Sequence, residues 1–309
     1  MVTIDLTTPQ PPAANFLDGL PRRLALTLPE LRHAARLAGD APLPFDLAET
    51  VSGGGGLEGR LGQSRGTSED NAYAEALASL HDAGDSLRRR GLITDDGIDP
   101  GLTGAIGLLA TPTLALDLDV AAPGTQVKAW HRQAGNAVAT LATCDGLVFE
   151  LAWFAADLWP GEISRAADIP DDVRLGESAV PAEIDLPFHL VDAVGEGLRS
   201  GRSDLVPVLM SQHGSGVVDG EGEPLEATAA AAAVAAIHTE GRGRLRVLAA
   251  RVADDETTEV GLVSWVLLAD GWHSLTPHQA EDDARLRVRR TLPDDLAAEL
   301  APVLAQVIA

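Results

Sequence analysis

Cysteine is almost missing from this chain of 309 residues, where Cys144 stands alone. No intrachain disulfide can brace the fold, and an intracellular setting suits such a sequence. Aromatic residues amount to only 4%, so the core has to be assembled from Ala, Leu and Val. Cations are scarce too: 23 Lys plus Arg face 46 Asp plus Glu, a formal charge of −23, and Lys128 is the single lysine. A field of that sign repels phosphate backbones and anionic lipid heads, which argues against a nucleic-acid or membrane-surface partner. Long apolar runs are absent as well. The longest uncharged apolar stretch, Ala227 to Thr239, falls well short of the roughly 20 residues a membrane span needs. The opening residues Met1 to Phe16 have neither a basic nor an apolar block of the kind a signal peptide carries, so the expectation is a cytoplasmic protein.

What is present is a large apolar fraction, 45%, enough for a substantial core. After a polar lead over residues 1–20, Leu24 to Leu28 reads as a strand that runs into a helix opened by Pro29 and Glu30 and stopped by Gly39. Gly53 to Gly56 and Gly59, Gly62 and Gly66 read as a surface loop. A helix is expected from Glu69 to Arg90, with Tyr73, Ala76, Leu77, Leu80 and Leu87 on one stripe and Arg88, Arg89 and Arg90 at its C-terminal end. A shorter helix follows from about Pro100 to Ala110.

The period then changes from 3.6 to 2, because Leu114, Leu116, Leu118 and Val120 alternate with Ala115, Asp117 and Asp119. Strands at 127–132, 136–143 and 147–154 continue an antiparallel meander through turns at Pro123-Gly124, Gly135-Asn136 and Asp145-Gly146. An irregular acidic connector spans 155–183. Helices are expected at 186–200, 203–212 and 224–239, strands at 245–253, 259–268, 271–276 and 285–291, and a last helix that Pro302 should kink or split. Helices followed by a meander thus occur twice. The expectation is an α+β fold with a central antiparallel sheet and helices gathered on one side of each of two similar halves, 21–160 and 161–309, integrated into one domain.

No catalytic constellation emerges. Gly62-Gln63-Ser64-Arg65-Gly66 matches the G-x-S-x-G elbow of hydrolases, yet the glycine-rich residues before it cannot supply the buried strand that presents such a serine. A serine hydrolase using Ser64 is therefore a lesser alternative. No two of the eight histidines stand three or four apart, the spacing that places two imidazoles on one helical face. His273 and His278 beside Glu281, Asp282 and Asp283 read as a solvated strand end, and His131 and His238 as surface or capping residues. Asp95 to Asp99 lacks the spacing of a calcium loop and reads as a turn with a helix cap. Cys144 reads as an inert turn residue. No metal and no cofactor is expected.

Apolar excess is the remaining signal. Leu205, Val206, Val208, Leu209 and Met210 give one short helix more apolar residues than one buried face uses. The Ala-rich helix around Val234 is apolar nearly all round. Either both helices pack wholly inside a bundle, or part of the excess forms a groove for a partner helix. A self-associating structural protein that buries the excess against a second copy is a further alternative, and the sequence leaves monomer or dimer open.

Taken together, the stretches Leu24 to Leu31, Ala41 to Phe45, Leu87 to Pro100, Ala110 to Leu118 and Asp270 to Pro277 resemble the EspG family of type VII (ESX) secretion chaperones, over about residues 20–309. The resemblance implies a quasi-twofold α+β fold with two helical bundles. It also implies a cytosolic, actinobacterial, non-enzymatic chaperone that binds the hydrophobic tip of a PE–PPE heterodimer and keeps it soluble for export. In that family the partner contacts come from the C-terminal bundle and a loop between early strands, which correspond here to residues 186–239 and to the turn around Pro123 and Gly124. The strand from Glu259 to Val266 is more apolar than the polar sequence expected there.

Overall fold

The computed structural model describes residues 17, 19–45, 82–253, 256–280 and 283–308. In chain order it contains β1 (Arg22–Thr27), α1 (Leu28–Leu37), α2 (Ala83–Arg89), β2 (Ile93–Thr94), β3 (Gly97–Ile98), α3 (Pro100–Ala110), β4 (Leu114–Ala122), β5 (Thr125–Ala134), β6 (Ala137–Thr143) and β7 (Val148–Ala155). There follow α4 (Trp159–Ala166), β8 (Glu183–Pro187), α5 (Phe188–Arg199), α6 (Val206–His213), β9 (Val218–Asp219), α7 (Ala227–Thr239), β10 (Gly243–Ala253), β11 (Glu256–Leu268), β12 (Gly271–Ala280), β13 (Asp283–Arg290) and α8 (Asp295–Ile308). β2 and β3 pair with each other, and the other eleven strands form a sheet in the order β1-β7-β6-β5-β4-β10-β11-β12-β13-β8-β9. The chain is thus an α+β protein built on a large antiparallel sheet. It separates into two compact units: residues 1–113, 131–141 and 146–159, and residues 114–130, 142–145 and 160–309. The sequence reading placed a single cut at 160, whereas packing groups β4 and the first half of β5 with the C-terminal unit.

In the first unit, β1 passes straight into α1 because Thr27 and Glu30 form a reciprocal capping box, with Pro29 in the first turn. Glu30 does more than cap. Its buried carboxylate also accepts from Ser86 Oγ at 2.7 Å and pairs with Arg90 at 3.3 Å, so it ties α1 to α2. Burial alone would raise this carboxyl, but the bonds from Ser86 and Thr27 and the Arg90 charge outweigh that and hold it below its ordinary value. Asp99 caps α3 through a bond from the Leu102 amide. Leu26, Leu31, Leu87, Leu102, Ile106, Phe149 and Leu151 are fully or almost fully buried. His131, read from sequence as a surface or capping residue, is instead buried and accepts from the Trp159 indole at 2.9 Å.

In the second unit, β10 pairs with β4 on one side and β11 on the other. Their alternation sends Leu245, Val247, Val263 and Trp265 to one face, where they are buried. α8 packs on that face. It comes close because β11 has Gly261 beneath Val303, and it is fixed by Glu299, which accepts from the Trp265 indole at 2.7 Å and from Arg289 at 2.8 Å. α5 and α7 pack on the opposite face further along the sheet, with Leu268, Leu286, Val288, Ile184 and Leu186.

Several elements differ from the sequence reading. The acidic connector holds α4, and β8 spans the end of that connector and the first two residues of the helix expected from 186, which begins instead at Phe188. In β8, Ile184, Asp185 and Leu186 pair with β13, and tertiary pairing overrides the helical pattern of a short apolar run. α8 runs through Pro302 without being split. The helix expected from Glu69 is described only over Ala83–Arg89; its earlier part, the glycine-rich stretch 51–66 and the lead 1–16 lie outside the described residues.

A side chain at residue 261 has to displace Val303. Gly261→Val is therefore expected to lower stability by about 1–3 kcal/mol through overpacking. Chemical denaturation monitored by tryptophan fluorescence checks this.

Candidate partner-binding surface

The bundle of the second unit is layered. α5 buries Leu190, Val191 and Val194, and α7 buries Ala230, Ala233, Val234, Ala236 and Ile237. α6 has no fully buried residue at all. Val206, Leu209 and Met210 lean partly buried against the core of the bundle, whereas Val208 points outward and is 51% exposed. Phe188, at the start of α5, is also exposed. Near it His189 and His213 meet edge to face at 4.8 Å, with a 3.3 Å contact between ring nitrogens that joins α5 to α6. The outer surface of α7 carries Ala227, Thr228, Ala229 and Ala232, all exposed. Such small side chains let a docking helix approach the backbone closely.

The sheet face that carries this bundle continues beyond it. Paired residues on neighbouring antiparallel strands share a face, and every second residue returns to it. Leu268 belongs to the core of the bundle, and Val266 packs against that core. Leu262 and Val260 therefore lie on the same face, as do their partners Leu248 and Ala250 on β10. No described helix covers them: Val260 is 63% exposed, Leu262 57% and Leu248 46%. Three neighbouring aliphatic side chains on adjoining strands make a contiguous apolar patch of the kind that marks an interaction surface. Arg246, Asp119 and Asp117 share this face, the first two being cross-strand partners, and form its polar border. The turn Pro123-Gly124 lies at one end of the same strands. It is exposed, with Gly124 at φ 79°, just past the pair Ala121 and Arg244.

The residues singled out from sequence thus divide. Val208, Pro123 and Gly124 are accessible, and Leu205, Val206, Leu209 and Met210 are half-buried. Val234 requires correction: at 0% exposure it is a core residue of the bundle and no wall of a groove. The sequence reading missed Leu248, Val260 and Leu262. The apolar character of the Glu259 to Val266 stretch was the available signal, but alternation alone does not say which face another element covers.

Among the described residues no three His, Cys, Asp or Glu side chains gather as a metal site requires. Gly62 to Gly66, with Ser64, lies outside the described residues, and so do Glu281 and Asp282. Two further histidine readings are corrected: His273 is fully buried, and half-buried His238 bonds to the Val191 carbonyl instead of capping a helix. Cys144 is exposed in its turn. A cleft of about 680 Å³ is lined by Glu183, Asp185, His278, Arg285 and Arg287 among others. Asp185 there already accepts from His278 at 2.6 Å and from Arg285, so its charge is internally matched. No described helix is long and apolar enough to cross a membrane.

Comparison with known proteins gives a likeness of fold. No family model matches the sequence, and no curated protein matches it. Among solved structures, the chain is similar to the Mycobacterium tuberculosis type VII secretion system chaperone EspG5, in a structure of its complex with a PE25–PPE41 dimer. The TM-score is 0.61 at 12% identity, covering 92% of this chain and 96% of the other. The fold is accordingly EspG-like.

Accessibility separates surface from core here. Val208→Asp is expected to leave the melting temperature within about a degree or two of wild type, because surface changes are near neutral. Val234→Asp is expected to lose about 3 kcal/mol or more by placing an unpaired charge in the bundle. Thermal melts of the two variants side by side check this.

Proposed function

We propose that this chain is a non-enzymatic chaperone of a type VII (ESX) secretion system that caps the apolar helical tip of a PE–PPE heterodimer. The observation that carries the reading is the uncovered apolar patch of Leu248, Val260 and Leu262, on the same sheet face as the bundle with its outward Val208 and Phe188. The EspG-like fold supports it, since the similar chain was solved with a dimer of that class. The partner contacts assigned to this chain are Val208 and Phe188 on the bundle, the Pro123-Gly124 turn, and the open sheet face. The half-buried Leu205, Val206, Leu209 and Met210 support them from behind.

The physics of such a cap is simple. A helical secretion substrate with a greasy end self-associates, and covering that end reversibly shifts the equilibrium toward the dispersed species. Binding and release suffice, without chemistry, and a cytoplasmic site of action follows from the need to cap before export. The strong negative charge discourages wrong partners that share its sign.

Co-expression with PE–PPE pairs of the same genome, followed by affinity capture and sizing, tests the reading; failure to form a complex with every cognate pair would overturn it. Burying one Leu-sized side chain contributes about 1.5–3 kcal/mol. Leu262→Asp and Val208→Asp are therefore each expected to weaken the complex about tenfold or more while the free protein stays folded. A second reading, self-association through the same patch, is favoured by its exposed aliphatic side chains, which a second copy could equally bury. Light scattering separates the two, because a dimer that Leu262→Asp converts to monomer, with no PE–PPE complex, would establish it instead.

A further inference from the structure

The junction where α7 hands the chain to β10 concentrates ionisable groups, half-buried His238, Glu240 and Arg242 beside fully buried His273. His238, in the last turn of α7, donates through Nε2 to the Val191 carbonyl on α5 at 2.9 Å. Its ring fills the space over Gly195, where any side chain would collide with it. Two residues on, the Glu240 carboxylate accepts from Ser178 Oγ at 2.6 Å and from the Ala179 amide at 2.9 Å. Arg242 then reaches the carbonyls of Arg174 and Ala269, each at 2.8 Å. His273, at the start of β12, is fully buried. Its Nδ1 faces the Gly271 carbonyl at 3.4 Å and Asp270 Oδ1 at 3.8 Å. Its Nε2 has no hydrogen-bond partner among the described residues, and neither has Asp270 Oδ1.

We propose that this α7–β10 junction is an acid-sensitive latch, in which neutral His238 and His273 let the end of α7 seat against α5 and the sheet, and protonation of either loosens it. The geometry carries the idea. A proton added at His273 Nε2 creates a buried N–H with no acceptor, the situation that low-dielectric interiors penalise most. His238 is wedged between α5 and α7 with its one good acceptor, Val191 O, already served.

Among the described residues, few charged groups face either ring. His273 faces Asp270 in the β11–β12 turn, Arg290 on β13 and Glu240 after α7; burial dominates and depresses it, Asp270 and Glu240 pull the other way, and Arg290 adds to the depression. His238 is depressed by burial first and by Arg199, against the Val191 bond and Asp192. Both histidines thus sit below their ordinary value of about 6.5 in the folded chain. The unfolded or opened junction binds more protons, so its opening becomes easier as pH falls below that value. Glu240 acts lower: burial raises its carboxyl, but the Ala179 and Ser178 bonds outweigh burial and keep it ionised through the histidine window. The consequence, that acid moves the bundle wall of the docking surface, rests on the chaperone reading; the latch itself does not.

Hydrogen exchange of the free protein, corrected for intrinsic rates, tests it between about pH 7.5 and 5.5. Peptides across 234–245 and 268–275 are expected to lose protection selectively, the opening constant rising by up to about tenfold per pH unit for each proton taken up. Peptides from α1 and α3 serve as the reference. His238→Gln and His273→Gln should each flatten part of that slope. A wild-type profile with no selective rise overturns the latch, and so do variants that exchange faster at every pH yet keep the full slope. If either variant fails to fold, the wild-type slope decides alone. The readout needs no partner, so loss of the latch leaves the docking reading standing, and loss of docking leaves the latch measurable.

Discussion

The pleat of β10 and β11 sends alternate residues to two faces that receive very different cover, and the proposed docking rests on that difference. On one face Gly261 removes a side chain where α8 crosses, so Val303 drops onto the strand and Trp265, Val263 and Val247 are sealed. On the other, the bundle reaches Leu268 and Val266 and then stops. Val260, Leu262 and Leu248 stay about half exposed, so each forgoes roughly half of the 1.5–3 kcal/mol that full burial contributes. A strand pair with one sealed face tolerates that, because its register is already pinned by the covered side.

Scarcity of aromatic residues shapes how the covered faces are held. Ala, Leu and Val fill most of the interior, and the few tryptophans act as fixed posts. Trp265 and Trp272 lie 6.3 Å apart, and each indole is satisfied, by Glu299 and by the Ala167 carbonyl. In the bundle the same shortage is met with small residues. Gly195 and Ala233 allow α5 and α7 to approach closely, and His238 takes the space a larger apolar residue would fill elsewhere.

Much of the fold was legible because its signals are local. The alternation of Leu114 to Val120, the glycine turns at Gly124, Gly135 and Gly146, and the Asp270-Gly271 hairpin mark strands and their connections without reference to distant residues. Arg285, Leu286, Arg287 and Val288 read correctly as a strand, with the leucine and valine in the core of the bundle and Arg285 on Asp185. The site was less legible for a definite reason. A helix such as α7, apolar around most of its circumference, has no polar stripe to fix its rotation, so Val234 could not be told from an exposed position until α5 was packed against it. Strand periodicity likewise defines two faces of β11 but leaves open which one α8 covers. β8 was hidden because five residues are too few for a period to show and because its pairing partner β13 lies about a hundred residues away.

The distribution of charge bears on the proposed docking as well. Several arginines of this cation-poor chain serve the scaffold: Arg242 on backbone carbonyls, Arg285 on Asp185 and the Gly216 carbonyl, and Arg90 on Glu30 and the Ala25 carbonyl. Each of these guanidiniums is engaged in internal hydrogen bonds, while 46 carboxylates against 23 cations leave the chain a formal charge of −23. A chain of that charge attracts few of the acidic proteins it meets, and its apolar window is a place where association gains free energy without paying for charge repulsion. In the proposed chaperone role, selectivity comes from matching an apolar end that carries no charge of its own.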